Sequence, residues 1–141
     1  MRYVVDASVV VKSLLPEAGS EYADAVLASH RGGELILVAP ELVIAEVANA
    51  IHKKAFVRRT IALAEAEKAF ADFLKLGLYL YPLRDLAENA FRLAITHRHP
   101  IYDAFYVALA QRESCSLITA DSRLLRSFDL PLVISLDQFR P

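Results

Sequence analysis

The chain has 141 residues, 55% of them hydrophobic, and a formal net charge of −1. That length suits one domain over 1–141 with a single core, and the near-neutral charge excludes a general pull toward polyanions, so contact with nucleic acid must rest on local basic clusters or on metal ions. No apolar run approaches the ~18 residues that span a bilayer, Asp6 and Lys12 break the apolar N-terminus where a secretory signal needs continuity, and the single Cys115 excludes a disulfide framework and a cysteine zinc site; the expectation is a soluble, cytoplasmic protein with no membrane role and a buried structural thiol.

"RYVVD" at 2–6 reads as a buried strand and "SVVVKSLL" at 8–15 as a helix stopped by Pro16. Ser20 suits the N-cap of a helix to Arg31, ended by Gly32 and Gly33. "LILVAP" (35–40) predicts a second strand, and "ELVIAEVANAIHKKA" (41–55) a helix behind Pro40. Thr60 opens a helix over 61–76, with Gly77 as its stop. Its polar residues Glu65, Lys68, Asp72 and Lys75 form one narrow stripe, and the wide apolar remainder fits either deep burial or a face shared with a partner chain. "LYLYPL" (78–83) predicts a third strand, and Asp85 with Glu88 resembles a capping box for a helix to His97. A helix at 101–111, the strand "SLIT" (116–119), a short helix at 122–127 and the strand "LVIS" (132–135) complete the chain. Strands apolar on both faces, alternating with helices, predict a three-layer α/β/α sandwich around a central parallel sheet.

Ligands of open α/β sheets bind beyond the carboxyl ends of the strands. Asp6 ends the first strand, and Asp121 follows "SLIT" by one residue. Glu46 interrupts the apolar "LVIAEVANAI", and Asp103 lies in the first turn of "IYDAFYVALAQ", apolar on most faces. Each acid has an ordinary explanation: helix caps for Asp6 and Asp121, a helix N-terminus for Asp103, a solvent stripe for Glu46. If the four converge, their repulsion makes the site costly unless cations occupy it. Carboxylate oxygens suit hard ions such as Mg²⁺ or Mn²⁺, which activate water and neutralise charge in phosphodiester hydrolysis.

"YVVDAS" at 3–8, "PELVIAEVANAI" at 40–51, "YDAFYVALA" at 102–110 and "LITADSRL" at 117–124 together resemble the PIN-domain family, in particular the small ribonuclease toxins of VapBC toxin–antitoxin modules. The resemblance implies a Mg²⁺- or Mn²⁺-dependent endoribonuclease that pairs as a homodimer and is silenced by a cognate antitoxin. It implies that Asp6, Glu46, Asp103 and Asp121 are the catalytic, metal-binding acids. It gives Ser8, Asn49 and Thr119 bracing or substrate-orienting roles. The helix 61–76 gains a purpose at a dimer or antitoxin surface. Where some members carry a further acid, this chain has Ser122, Arg123, Leu124 and Leu125, so a second metal stays open.

"HKKAFVRR" offers Lys53, Lys54, Arg58 and Arg59 as an RNA-backbone contact with Phe56 as a stacking ring, or as a solvated helix end. Arg123 and Arg126 stand near Asp121 and suit phosphate. "HRH" at 97–99 lacks a third zinc ligand and reads as a polar turn before Pro100. Other phosphoryl-transfer folds fit poorly: Ser8 stands where a haloacid-dehalogenase-type phosphatase needs a second Asp, and no Lys follows position 75 for a receiver domain. The alternative of another class is a non-catalytic RNA- or protein-binding module, whose mark would be the loss of one or more acids.

Overall fold

The computed structural model describes residues 1–140. Five strands, Arg2–Val5 (β1), Ile36–Pro40 (β2), Tyr79–Tyr81 (β3), Ser116–Thr119 (β4) and Val133–Ser135 (β5), form one parallel sheet in the order β3-β2-β1-β4-β5. Val4, Val5, Leu37, Val38, Leu117 and Ile118 of the three inner strands are fully buried, as apolar strands covered on both faces require. Helices Ala7–Leu14 (α1), Ser20–Arg31 (α2), Leu42–His52 (α3) and Leu63–Leu74 (α4) pack around one another through α1. Ala87–His97 (α5) and Ile101–Arg112 (α6) pair closely, and α6 lies across β1, β2 and β4. Ser122–Ser127 (α7) rests on β4 and β5. The result is the expected three-layer α/β/α sandwich. The apolar character of α6 on most faces follows from its place, because it contacts the sheet on one side and α5 on the other; Tyr106 through Ala110 are all buried.

The chain builds β1, β2 and β3 outward in one direction, then returns to the other side of β1 for β4 and β5. The strand order therefore reverses between β1 and β4, where Val5 pairs with Ile118. A crevice at the carboxyl ends of the strands opens at such a reversal.

Several local expectations change. Ser20 is the first residue of α2 and does not cap it; Gly19, in the left-handed region at φ 86°, takes the N-cap position. The Ser20 hydroxyl instead donates to the Lys12 carbonyl and accepts from the Glu17 amide. Asp85 and Glu88 form no capping box. A 3-10 turn over Leu83–Asp85 leads into α5, so Leu86 holds the cap position and Ala90 N bonds to its carbonyl. Asp85 and Glu88 pair with Arg112 and Arg92. The expected helix 41–55 splits into α3 and a π turn over Lys53–Val57, where Arg58 N reaches back five residues to the Lys53 carbonyl. The helix expected over 61–76 covers Leu63–Leu74 only; Thr60 bonds to the Lys54 carbonyl and leaves the helix start uncapped. It buries Ala66, Ala69 and Phe73 and leaves Leu63 and Leu74 exposed. Cys115 is half-buried rather than buried, and that burial pushes its thiol up. Among the described residues no helix is long and apolar enough to cross a membrane.

Candidate active site

Asp6 follows β1 directly and caps α1, its Oδ1 accepting from the amides of Ser8 (3.0 Å) and Val9 (3.3 Å). The Ser8 hydroxyl donates to the same oxygen at 2.5 Å, and the Thr119 hydroxyl donates to Oδ2 at 2.5 Å. Both hydroxyls also accept, Ser8 from Ala120 N and Thr119 from Asp121 N, each at 3.0 Å. Two small side chains thus stitch the end of β1 to the end of β4 through one carboxylate. Asp6 is only 4% exposed, and burial pushes its pKa up to about 6 against the opposing pull of those hydrogen bonds and with a further push from the Asp103 charge.

The other acids come from three different elements. Asp121 caps α7, accepting from Arg123 N and Leu124 N. Glu46, in the second turn of α3, accepts from the Tyr106 hydroxyl of α6 at 2.6 Å. Asp103 lies one turn before Tyr106 on the same face of α6, and its Oδ2 accepts from His99 Nε2 at 2.5 Å. Burial raises the Glu46 pKa, and the charges of Asp103, Asp6 and Asp121 raise it further. The structure thus brings all four acids into one electrostatic neighbourhood at the strand-order reversal.

Among the described residues no three His, Cys, Asp or Glu side chains form a ready ligand cluster; protein donors brace the acids instead. The donor chemistry nonetheless fits a hard divalent cation. It is all carboxylate oxygen, without thiolate, and the mutual repulsion of the acids is what such an ion relieves.

Cavities open beside two of the acids, Asp103 and Glu46. One of about 280 Å³ is lined by His99, Pro100, Asp103, Arg123, Arg126 and Ser127. Another, about 210 Å³, is lined by Glu46, Asn49, Ala50, Lys53, Lys54 and Arg58. A third joins Glu46 and Asn49 to Leu42, Ala45 and the exposed ring of Tyr102. Of the basic residues singled out in the sequence, Lys53, Lys54 and Arg58 thus share a cavity with Glu46, and Arg123 and Arg126 share one with Asp103. Lys54 is tied to Glu17 at 3.1 Å. Arg59 lines none of these cavities and turns the chain at φ 53°. Phe56 is exposed and stacks on His52.

Tyr106 is not singled out in the sequence, and His99 enters there only as part of the polar turn 97–99, yet both touch the acids. Tyr106 reads as one more apolar position of α6, yet it stands three residues after Asp103, the spacing that shares a helix face. His99 stands four residues before Asp103, inside what reads as a polar turn. Spacing from Asp103 is the available signal for both.

Residues 3–129 match the PIN domain family. The chain is 34% identical to Ribonuclease VapC3 of Pyrobaculum aerophilum, over 91% of this chain and 95% of that protein. It is 36% identical to Ribonuclease VapC12 of Mycobacterium tuberculosis, over 88% and 90%. Its fold is similar to the crystal structure of PAE2754 from Pyrobaculum aerophilum, with a TM-score of 0.73 and 25% identity over 97% of this chain and 85% of that one. It is also similar to Mycobacterium tuberculosis VapC20, a sarcin–ricin loop cleaving toxin, with a TM-score of 0.66 and 17% identity over 89% and 95%. The chain belongs to the PIN domain family, as its four motifs lead one to expect.

Proposed function

We propose that this chain is a divalent-metal-dependent endoribonuclease, the toxin component of a type II toxin–antitoxin module. What supports the reading is that the charges of Asp6, Asp103 and Asp121 all bear on Glu46, in a chain whose relatives are named VapC ribonucleases over nearly their full length. Those four carboxylates would hold Mg²⁺ or Mn²⁺. When bound, such an ion lowers the pKa of a water and neutralises charge on the transferring phosphoryl group.

The protein's own residues do the rest. Ser8 and Thr119 hold Asp6 in one rotamer, each bond shared with a backbone amide beyond β4. Tyr106 anchors Glu46, and its own pKa is raised well above the ordinary phenol value by burial and by the Glu46 charge, so it stays a neutral donor. Lys53 and Arg58 on one side and Arg123 on the other offer positive charge to the RNA backbone, with Asn49 turned toward the substrate groove. In this reading residues 1–141 act as one domain, homodimeric and silenced by a small antitoxin protein. The exposed Leu63 and Leu74 of α4 supply an apolar face for one of these partners.

The test is cleavage of a panel of single-stranded and structured RNAs with Mg²⁺, with Mn²⁺ and with EDTA. Activity should vanish in EDTA. Asp103→Asn should lower it by more than about 100-fold, because groups that merely brace a metal ligand already cost about 10–100-fold when removed. Undiminished cleavage by Asp103→Asn overturns the assignment, and metal binding without any RNA cleavage moves the protein to a binding role.

A further inference from the structure

His99 lies outside the four motifs that carry the family resemblance, yet its side chain is only 7% exposed and makes a single polar contact, to Asp103. The geometry behind it is built. Arg98 ends α5 in the left-handed region at φ 50°, and the His99 amide closes the turn on the Ala94 carbonyl at 3.1 Å. The imidazole stands edge-on to Phe128, with ring centroids 5.1 Å apart and planes at 69°. Phe128, fully buried, ends α7. His97 packs on the same ring at 4.8 Å, and its Nδ1 lies 3.2 Å from the Ser127 carbonyl. The imidazole of His99 therefore has little freedom, and its Nε2 is delivered to Asp103 Oδ2.

We propose that His99 is a positioning residue for the metal-holding carboxylate of Asp103. By occupying Oδ2 it selects one rotamer of the side chain that would hold a divalent cation. The hydrogen bond fixes the direction of the carboxylate, as groups behind a metal ligand do. The same ring, through Phe128, ties Asp103 to α7, whose first turn is capped by Asp121. The inference rests on the nuclease reading above.

Two substitutions separate orientation from packing. His99→Phe keeps an aromatic ring against Phe128 and removes the donor. His99→Gln places an amide N–H close to the position of Nε2 and removes the ring. The measurements are calorimetric titration with Mn²⁺ alone, urea unfolding in EDTA, and kcat and KM for RNA cleavage. Orientation predicts that His99→Phe unfolds like the wild type but binds Mn²⁺ about 10–100-fold more weakly, with the loss falling on kcat and KM unchanged. His99→Gln should recover most of the Mn²⁺ affinity even where its unfolding midpoint drops. Wild-type Mn²⁺ affinity in His99→Phe overturns the inference, as does a folded His99→Gln that binds as weakly as His99→Phe. The nuclease reading survives both outcomes, and it fails separately if the wild type binds no Mn²⁺.

Discussion

Tyr106 and Glu46 form a pair in which each partner sets the other's protonation. The phenol is 1% exposed and donates to a carboxylate whose pKa is raised first by burial and then by three neighbouring acids. The bond works against that rise. Tyr106→Phe should lower stability by about 1–3 kcal/mol, the usual loss when a buried charged acceptor is left without its donor, read from urea unfolding. It should also push the Glu46 pKa further up, so the acid limb of the cleavage profile moves to higher pH. An unmoved limb would mean that Glu46 ionisation does not govern activity. Asp6 and Asp121 are readable in the sequence because an acid within two residues of the end of an apolar strand lies at the sheet's carboxyl edge. Tyr106 and His99 are not, because a hydroxyl inside an apolar helix, or an imidazole inside a polar turn, is identical in sequence whether it packs, faces solvent or donates to an acid.

The π turn over Lys53–Val57 is where local pattern and structure part most usefully. It widens the end of α3 by one residue and carries Lys53, Lys54 and Arg58 around the rim of the cavity that Glu46 and Asn49 share. Lys54 is tied to Glu17, which Lys12 shares, so Lys53 and Arg58 are the cations of this rim best placed for phosphate. Arg58→Glu should weaken RNA affinity across sequences and reduce the slope of log K against log salt by about one, measured by fluorescence anisotropy in EDTA to suppress cleavage. An unchanged slope would remove this turn from the RNA path. Helix interiors are legible from apolar spacing, as α5 illustrates. Helix starts are less so, since Ser20, Thr60 and Asp85 all carry capping side chains that the backbone leaves to other partners. A cap is chosen by the direction from which the chain arrives, and that direction belongs to the packed molecule.

Packing four acids around one edge of a sheet has a consequence for the stability of the entire fold. Asp6 titrates at about 6 in the folded protein, against an ordinary value of 3.8. Between those values the folded state binds the proton more tightly than the unfolded chain. The stabilisation from protonated Asp6 is therefore complete below the ordinary value and is lost as pH rises through about 6. With about 1.4 kcal/mol for each pH unit that separates the two values, the loss is about 3 kcal/mol. Glu46, also raised, adds to it in the same direction. Without divalent ions, Asp6→Asn should gain stability relative to the wild type as pH goes from 5 to 7, measured by urea midpoints in EDTA. A constant difference over that range would show that Asp6 is not strained by burial.

The alternation of short apolar strands with longer amphipathic helices sufficed to determine the α/β/α class, and an acid after each of two apolar strands sufficed to place two acids of the candidate site at the carboxyl edge of the sheet. These are properties of periodicity and chain order, which sequence carries directly. Only the tertiary structure decided that β4 lies beside β1, so that Thr119 and Ser8 reach one carboxylate from positions 113 and 2 residues away from Asp6. Only the tertiary structure set Tyr106 against Glu46 across 60 residues and seated the His99 ring on Phe128. Such contacts depend on the order of strands and the angle between helices, and those are settled by how all the buried surfaces fit at once.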